Sequence, residues 1–308
     1  MIVVTGGAGF IGSHLVESLV IDNEVTIIDN FSTGSMRNLQ SVEGKVKIFR
    51  GDIRSMDISS LSKIDDIFHL AALPDVRESF EKPVEFLEVN VKGTLNVLEF
   101  ARKKDAEKFV FSSSSTVYGE PEEMPCNEEY KVNPISHYGL QKYLAEELVK
   151  FYSKTYGIKG ITLRLANIIG PRASHGVIHD FIKKLRSDKN KLEILGDGMQ
   201  RKSYLYVKDT VNAILITWKK SQRMYEIYNV GNVDWITVNE IASIVEEEMG
   251  VKNVKHEYKW VEDGRGWKGD VKEILMSIEK IKLLGWSPTF SSSQAVRITV
   301  RELLGIKP

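Results

Sequence analysis

The chain has 308 residues, of which 42% are hydrophobic and 27% charged, with 42 Lys and Arg balancing 42 Asp and Glu. This composition excludes wholesale disorder, and a net charge of zero argues against a nucleic-acid partner, which normally leaves a basic footprint. The length corresponds to about two domains or to one large α/β unit.

The sequence predicts neither a secretion signal nor a membrane span. The longest stretch free of Asp, Glu, Lys and Arg, residues 1–16, contains four glycines and follows no basic residue. A signal peptide would have a basic segment and an unbroken apolar core, and a membrane span needs about 18 apolar residues. The single cysteine, Cys126, excludes an intrachain disulfide, as is typical of the reducing cytoplasm. We therefore expect a cytoplasmic protein.

Apolar patterning predicts strands that alternate with helices over the first half of the chain. Short β-branched or aromatic runs predict strands at 2–5, 25–29, 46–49, 67–70, 109–111 and 161–165. Helical spacing of apolar residues predicts helices at 10–20, 83–103 and 138–156. This alternation indicates an α/β fold, a Rossmann-like doubly wound parallel sheet. We expect the sheet within residues 1–166 and a smaller α/β lobe at 167–308; a strand and helix at about 204–218 are expected to return to the sheet, so that the lobes interleave.

A glycine-rich turn follows the first strand. Residues 5–12 read TGGAGFIG, with Gly6, Gly9 and Gly12 in GxxGxxG spacing around Phe10 and Ile11. A dinucleotide pyrophosphate rests on a helix N-terminus only where the turn has no side chains in the way. Glycine turns are common, but here a strand precedes, a helix follows, and Asp29 ends the second strand. A carboxylate there accepts hydrogen bonds from a ribose and repels a 2′-phosphate, so the sequence predicts a dinucleotide site and favours NAD over NADP.

Further cofactor contacts are predicted at the ends of the next strands. Asn30 directly follows Asp29, and the pair Asp52-Ile53 follows the third strand, where it is placed either to touch the adenine or to form a turn. Ala71 and Ala72 follow the fourth strand. Small residues there let a cofactor pass, and tight packing explains them equally well.

Two YxxxK motifs occur, and their predicted elements separate them. Tyr138 and Lys142 open a long helix, where residues four apart lie about 5–6 Å from each other, so that the ammonium stabilises a phenolate. Tyr204 and Lys208 fall on a predicted strand, where four residues extend about 13 Å. We therefore select Tyr138 as a catalytic base assisted by Lys142. Ser114 follows the fifth strand, where its hydroxyl is placed to bond both the substrate and the Tyr138 oxygen.

Taken together, these motifs resemble extended short-chain dehydrogenase/reductases. The segments TGGAGFIGSH, HLAA, NVKGT, SSSSTVYG, YGLQK, LRLANIIGPR and LGWSP occur in the order seen in that superfamily. The chain is similar to its nucleotide-sugar epimerases, UDP-glucose (UDP-galactose) 4-epimerases in particular, over residues 1 to about 290.

The resemblance implies a reaction and further site residues. Tyr138 would take the proton from the 4-hydroxyl of a UDP-hexose while C4 passes a hydride to NAD; the 4-keto sugar would turn over and be reduced on its other face. Lys142 would also bind the nicotinamide ribose. The resemblance also implies a homodimer formed by the helices at 83–103 and 138–156. The remaining implied contacts are Asn90 and Ser112 for the cofactor, and Asn167 and Arg265 for the substrate diphosphate.

Departures from the family pattern refine these expectations. Ser115 and Thr116 stand where dehydratases and decarboxylases of the superfamily carry acidic residues, and hydroxyls do not act as acids or bases near neutral pH. Lys202 replaces an arginine common in relatives, so Arg201 and Lys202 are both assigned to phosphate. Aligned on Gly269-Asp270, Ile274 stands where some galactose-specific members have a bulky aromatic residue, which implies room for a 2-acetamido group.

Three alternatives are weighed against a UDP-hexose epimerase. UDP-glucuronate or UDP-N-acetylhexosamine 4-epimerase involves the same chemistry on another sugar. A non-catalytic dinucleotide-binding sensor is disfavoured because Tyr138, Lys142 and Ser114 are all present. His175 and His179 lie four residues apart, but no carboxylate ligand is near in sequence, so no metal site is expected.

Overall fold

The computed structural model describes residues 1–55 and 64–306. The strands are β1 (Ile2–Thr5), β2 (Val25–Asp29), β3 (Val46–Arg50), β4 (Asp66–His69), β5 (Lys108–Ser114), β6 (Lys159–Leu165), β7 (Asn167–Ile169), β8 (Lys191–Leu195), β9 (Arg201–Lys202), β10 (Tyr204–Tyr206), β11 (Tyr225–Val230), β12 (Ile236–Thr237), β13 (Lys255–Lys259) and β14 (Glu273–Ile274). The α-helices are α1 (Phe10–Leu19), α2 (Glu78–Glu81), α3 (Pro83–Leu87), α4 (Thr94–Lys103), α5 (His137–Tyr156), α6 (Val177–Ser187), α7 (Val207–Lys220), α8 (Val238–Met249), α9 (Glu279–Lys282) and α10 (Ser292–Leu304). Short 3₁₀ turns lie at Met36–Val42, Ser115–Val117 and Glu262–Gly264.

Seven parallel strands form the central sheet, in the order β3-β2-β1-β4-β5-β6-β11. Every residue of β1, β2 and β4 is buried, because helices cover both faces of the sheet and such strands read as continuous apolar runs. The predicted Rossmann-like fold is therefore confirmed. Strand order reverses between β1 and β4, and ligands of open α/β sheets bind at the carboxyl ends of the strands beside such a point.

The predicted helix at 83–103 is present but contains one π turn. Helix α3 passes into a π-helical segment, Glu88–Gly93, before α4 continues to Lys103. This segment packs closely on the turn after β3, since a Cβ on Gly93 would lie 2.6 Å from the Cδ1 of Ile53. Wider turns of this kind are frequent beside functional sites.

Beyond residue 166, the chain builds three small sheets and a second core. The pairings are β10 with β7, β12-β9-β14, and β13 with β8, and helices α6, α8 and α10 contribute to the apolar cluster packed against them. Among the described residues, none of the helices has both the length and the apolar character that crossing a bilayer would require. The division into two lobes at residue 166 stays a prediction.

The strand at 204–206 is the point where the sequence prediction for this part is wrong. Strand β10 pairs with β7 instead of with the main sheet, and β11 is the strand that completes that sheet. Alternating side chains explain the position of β10: Leu205 packs in the core of the main sheet, whereas Tyr204 and Tyr206 pack in the second core. Helix α7 does return to the main sheet, since its Val211 and Ile214 lie in the same core as Leu15 of α1.

Candidate active site

A cavity of about 750 Å³ opens at the carboxyl ends of the parallel strands and extends to the loops after β7 and before β14. It brings together most of the residues that the sequence singles out. Its lining includes Gly6, Gly9, Phe10, Ile11, Gly12, Asp29, Asn30, Asp52, Ile53, Ala71, Ala72, Ser112, Ser114, Tyr138, Lys142, Asn167 and Lys202. Of the predicted site residues within the described ranges, Asn90, Arg201 and Arg265 are not part of this lining.

The glycine turn has the shape of a phosphate cradle. Gly6 has a φ of +71°, and a Cβ on it would lie 2.7 Å from the backbone nitrogen of Ala71. A Cβ on Gly12 would lie 2.1 Å from the carbonyl oxygen of Gly6. Helix α1 begins at Phe10, and no side chain of the described residues caps its first turn. Its unpaired N–H groups and positive dipole end therefore suit an anion.

Asp29 holds the cradle in place and borders the cavity. Its carboxylate, which is buried, accepts a hydrogen bond from the Ala8 N–H at 2.9 Å and another from the Phe31 N–H at 2.8 Å. A carboxylate has about four acceptor positions, so two remain for a ligand hydroxyl. The position of Asp29 at the end of β2 thus fits the predicted ribose contact.

Asp52 forms an ion pair that the sequence did not indicate. Its carboxylate accepts from Arg54 Nε at 2.9 Å and Nη2 at 2.8 Å, and from Asn30 Nδ2 at 3.0 Å. The Arg54 hydrogen bonds hold the pKa of Asp52 well below its usual range. Asp52 is therefore a charged, fixed member of the lining, and its contact with adenine stays a prediction.

Tyr138 and Lys142 lie on the first turns of α5. The Oγ of Ser136 caps this helix by accepting from the Gly139 N–H at 3.0 Å. The Lys142 ammonium lies 5.8 Å from the Tyr138 ring centroid and donates to the Ser112 carbonyl at 2.8 Å. Burial raises the pKa of Tyr138 to about 12, opposed by a hydrogen bond with Ser114. Burial also lowers the pKa of Lys142 to about 8, opposed by the charge of Glu146.

Burial alone opposes both the Tyr138 phenolate and the Lys142 ammonium, so each charged form depends on the other. Opposite charges interact strongly where water is excluded. A Tyr138 phenolate would therefore be more stable with the Lys142 ammonium beside it than without it. The other YxxxK motif was predicted to lie on one strand, and the structure instead divides it: Tyr204 lies on β10, whereas Lys208 is exposed on α7. The selection of Tyr138 over Tyr204 as catalytic base stays a prediction, supported by the position of Tyr138 and Lys142 on one helix.

Ser114 ends β5 with its hydroxyl oriented by its neighbour. Its Oγ accepts from the Thr116 hydroxyl at 2.9 Å and from the Thr116 N–H at 3.2 Å. Both bonds use acceptor positions, so the Ser114 proton is left to be donated to a ligand or to Tyr138.

A buried ion pair behind these groups escaped the sequence analysis. Glu146, one turn beyond Lys142, accepts from Arg164 of β6 at 2.7 Å, and the two side chains are 1% and 3% exposed. The Ser113 hydroxyl donates to the same carboxylate, and Arg164 Nη1 donates to the Tyr118 hydroxyl at 2.9 Å. The pair ties α5 to β5 and β6. An arginine inside the otherwise uncharged strand segment ITLRL was the signal that could have revealed it.

Arg201 and Lys202, both expected at the substrate phosphates, point to opposite faces of β9. Successive residues of a strand point to opposite faces, so on β9 Lys202 lines the cavity while Arg201 lies 3.9 Å from the Trp235 ring centroid and pairs with Glu273 at 2.9 Å. Lys202 donates to Asp270 at 2.7 Å. The structure thus brings Lys202, and not Arg201, to the cavity.

Arg265 also lies away from the cavity lining. Its guanidinium forms a two-bond ion pair with Glu120, one of the bonds at 2.9 Å, and donates to the Asp270 carbonyl at 2.6 Å. These contacts hold the Arg265 guanidinium against Glu120 and the backbone of Asp270. The predicted diphosphate contact of Arg265 is not supported by this geometry.

Two predicted amides differ in their positions. Asn167 lines the cavity, with its Nδ2 donating to the Ser203 carbonyl at 3.1 Å. Asn90 is buried behind the lining, where it accepts from the Leu73 N–H at 2.9 Å and donates to the Leu73 carbonyl at 3.1 Å. Since Leu73 borders the cavity, Asn90 shapes the cofactor wall from behind.

Several lining residues were not assigned to the site by the sequence reasoning, among them Arg172, Trp267 and Thr299. Arg172 is the last residue of the LRLANIIGPR segment and donates to the Ser13 hydroxyl at 3.1 Å. His175 and His179 also border the cavity, but no cluster of three or more potential metal ligands occurs among the described residues.

Comparisons with known proteins agree with this geometry. Residues 2–231 match the model of the "NAD dependent epimerase/dehydratase family". The chain is 38% identical to a putative UDP-glucose 4-epimerase of Methanocaldococcus jannaschii, over 97% of both chains. The crystal structure of Thermotoga maritima UDP-glucose 4-epimerase with UDP-glucose superposes with a TM-score of 0.90 at 34% identity, covering 99% of this chain and 98% of that one.

Relatives with other substrates match nearly as well. The structure of Bacillus cereus UDP-glucuronic acid 4-epimerase, a complex with NAD, has a TM-score of 0.89 at 30% identity and covers 99% of both chains. Mammalian dTDP-D-glucose 4,6-dehydratases are also similar in sequence. Overall similarity therefore identifies the shared chemistry more firmly than the sugar.

Proposed function

The chain belongs to the NAD dependent epimerase/dehydratase family, and from that premise we propose that it inverts C4 of a UDP-hexose, UDP-galactose or UDP-glucose, with bound NAD. The observation that carries the proposal is the position of Tyr138, Lys142 and Ser114 in one cavity with the glycine cradle. A non-catalytic sensor would have no use for a buried tyrosine and lysine one helical turn apart.

The cradle fits the proposed cofactor. Gly6 and Gly12 let the turn fold tightly, since a Cβ on either would collide with neighbouring backbone, and the free N–H groups at the start of α1 suit a pyrophosphate. Asp29 would hold the adenosine ribose, and its charge disfavours a 2′-phosphate. When bound, NAD supplies reversible hydride transfer at C4, the chemistry by which a 4-keto sugar forms and is reduced on its other face.

The protein's own groups manage the proton. Tyr138 as phenolate takes the proton of the 4-hydroxyl and later returns it, so that the enzyme ends each cycle in its starting state. The Lys142 ammonium stabilises that phenolate across the helical turn, and its bond to the Ser112 carbonyl fixes its position. Ser114, oriented by Thr116, donates to the sugar oxygen and thereby aligns it with Tyr138.

The residues after Ser114 favour epimerisation over dehydration. Elimination of water needs an acid and a base beside the sugar, and Ser115 and Thr116 supply hydroxyls only. The Thr116 hydroxyl is engaged with Ser114 at 2.9 Å. The similarity to 4,6-dehydratases therefore reflects the shared oxidation step.

One observation favours a second substrate. Ile274 lines the cavity and is buried at 5% exposure, and its side chain takes less space than an aromatic ring. This supports UDP-N-acetylhexosamine as an alternative substrate. No turnover of UDP-N-acetylglucosamine in a direct assay would refute it.

A single experiment separates these possibilities. Purified protein is incubated with UDP-galactose, UDP-glucuronate and the N-acetylated sugars without added NAD, and the products are identified. Turnover of UDP-galactose to UDP-glucose is expected and would also show that NAD is retained. Tyr138→Phe should lose turnover and keep NAD, and an active variant would refute the mechanism.

We further propose a homodimer through α3 and α5. Large apolar side chains on these helices are exposed, among them Val84, Leu87, Leu140, Leu144 and Phe151. A contiguous exposed apolar surface indicates a contact with another molecule, and identical helix pairs on two subunits pack as a symmetric four-helix contact.

A further inference from the structure

One histidine is completely buried inside the central sheet. His69, the last residue of β4, has no exposed surface and does not line the cavity. Its ring packs against those of Phe109 and Phe111, with centroids 5.6 and 5.7 Å away. Its Nδ1 lies 2.7 Å from the hydroxyl oxygen of Thr5, and its Nε2 lies 2.9 Å from that of Thr94. Both ring nitrogens are therefore engaged with the protein itself, which indicates a positioning role instead of a contact with a ligand.

The hydrogen bonds of Thr94 determine which ring nitrogen carries the proton. The Thr94 hydroxyl donates to the Asn90 carbonyl at 2.7 Å. A hydroxyl has one proton, so toward His69 this oxygen only accepts, and Nε2 is the protonated nitrogen. Burial lowers the pKa of His69 to about 3, so the ring is neutral and Nδ1 accepts from the Thr5 hydroxyl. The Thr5 oxygen accepts in turn from the Ala71 N–H at 3.4 Å, and the bonds run in one direction from Ala71 to Asn90.

The ends of this chain of bonds belong to the glycine turn and to the π turn. Thr5 directly precedes Gly6, and a Cβ on Gly6 would lie 2.7 Å from the Ala71 nitrogen. Asn90 lies in the π turn, and its side-chain amide makes two bonds with the backbone of Leu73. Gly6, Ala71 and Leu73 all line the cavity. The histidine ring therefore links two parts of the cavity wall while lying outside it.

The same region is also bonded to the helix of the candidate catalytic pair. The His69 carbonyl accepts from the Ser112 hydroxyl at 3.2 Å, and the Ser112 carbonyl accepts from Lys142 Nζ at 2.8 Å. The Asn90 amide donates to Gln141 Oε1 on α5 at 3.2 Å. A displacement of the histidine or of the π turn would therefore reach both the cavity wall and α5.

We propose that His69 is a positioning residue for the cofactor, which as its Nε2–H tautomer holds the glycine turn and the π turn in one fixed relation. The proposal rests on the proposed function for the cofactor, NAD, and not for the sugar. A buried polar network in which every member is paired fixes a unique arrangement of the groups around it. Where the arrangement competent for binding is only partly populated, the apparent affinity falls by the same fraction.

The test removes the hydroxyl that accepts from His69. Thr94→Val keeps the shape of a buried residue that lies outside the cavity lining. NAD release from the purified protein is followed by reducing the freed NAD with an added dehydrogenase and its substrate. We expect release to be about 10-fold faster than in the wild type, which corresponds to a competent arrangement populated at about one tenth. Thr94→Ser restores the hydroxyl and should restore the wild-type rate.

A second threonine provides the matched control. Thr217 is fully buried on α7 outside the cavity lining, and its hydroxyl donates to the Ala213 carbonyl, one helical turn earlier, at 2.8 Å. The bond from Thr94 to Asn90 has the same four-residue spacing. Thr217→Val therefore loses the same kind of bond without a change at the histidine, and it should release NAD at the wild-type rate.

Nitrogen NMR of the imidazole distinguishes the proposed role from packing alone. The His69 signal, assigned by its loss in His69→Asn, should show the proton on Nε2 in the wild type and on Nδ1 in Thr94→Val, where Thr5 becomes the acceptor. Equal NAD release from Thr94→Val and Thr217→Val, no recovery in Thr94→Ser, or a wild-type proton on Nδ1 would each overturn the proposal. Wild-type protein that binds NAD but epimerises no UDP-sugar would overturn the proposed function and leave this inference standing.

Discussion

The ion pair between Glu146 and Arg164 lies directly behind the candidate catalytic groups, and its removal has two measurable effects. Glu146→Gln keeps the side-chain shape but leaves the Arg164 guanidinium, 3% exposed, without its counter-charge. Breaking a buried pair in this way costs about 3–5 kcal/mol. We expect the free energy of unfolding, measured by urea titration, to fall by that amount.

The second effect concerns the pH dependence of turnover. The Glu146 carboxylate raises the pKa of Lys142 against the lowering effect of burial, which leaves it at about 8. Without that carboxylate the pKa of Lys142 falls further. The protonated lysine is the form that stabilises the Tyr138 phenolate. As the pH rises, the loss of activity should therefore begin at a lower pH in Glu146→Gln than in the wild type.

A neighbouring residue provides the matched control. Glu147→Gln removes a carboxylate that pairs with Lys150 at 3.2 Å on the exposed face of α5, and exposed pairs contribute about 0–1 kcal/mol. Adding Arg164→Met to Glu146→Gln removes the orphaned charge and should recover about 1–3 kcal/mol. The reasoning is refuted if the free energy of unfolding of Glu146→Gln lies within about 1 kcal/mol of the wild-type value and the pH profile of its activity is unchanged.

Three other perturbations test separate parts of the structure. Gly6→Ala places a Cβ 2.7 Å from the Ala71 nitrogen at a φ of +71°, so retained NAD, measured by absorbance after denaturation, should fall sharply; normal NAD content would contradict the cradle. His69 is fully buried, and burial lowers its pKa to about 3. Folding therefore favours the neutral imidazole, whose contribution to stability is present above about pH 6.5 and is lost as the pH falls toward 3. From pH 7 to 5 the wild type should lose about 2 kcal/mol more unfolding free energy than His69→Asn; equal losses would refute the shift. Leu144→Asp, on the proposed dimer surface, should yield monomers by light scattering, whereas a persistent dimer would exclude that surface.

The strands of the sheet were predictable because their sequences fit few other structures. Runs such as IVVT and VTIID are apolar throughout, as strands covered on both faces must be. Strand β11 was missed because its sequence, YEIYNV, mixes polar with apolar residues, and its place beside β6 depends on that pairing. Local patterning contains no information on such long-range register.

The candidate catalytic pair Tyr138 and Lys142 could be proposed from the sequence because its geometry is local. A four-residue separation on a helix fixes the distance between Tyr138 and Lys142 without reference to the rest of the chain. The phosphate contacts depend on loops: Arg265 turns away from the cavity toward Glu120, while Trp267 borders it. Which side chain of such a loop borders the cavity depends on tertiary contacts that no periodicity in the sequence signals.

The path of the chain after residue 166 has a practical consequence for building hybrids of related enzymes. The chain leaves the main sheet after β6, forms β10 between the two cores, and then returns through α7 and β11. A hybrid joined once at residue 166 would give the sheet of one parent a seventh strand from another. Exchange of residues 167–203 and 231–308 therefore calls for three junctions, with residues 204–230 kept from the parent that supplies the sheet.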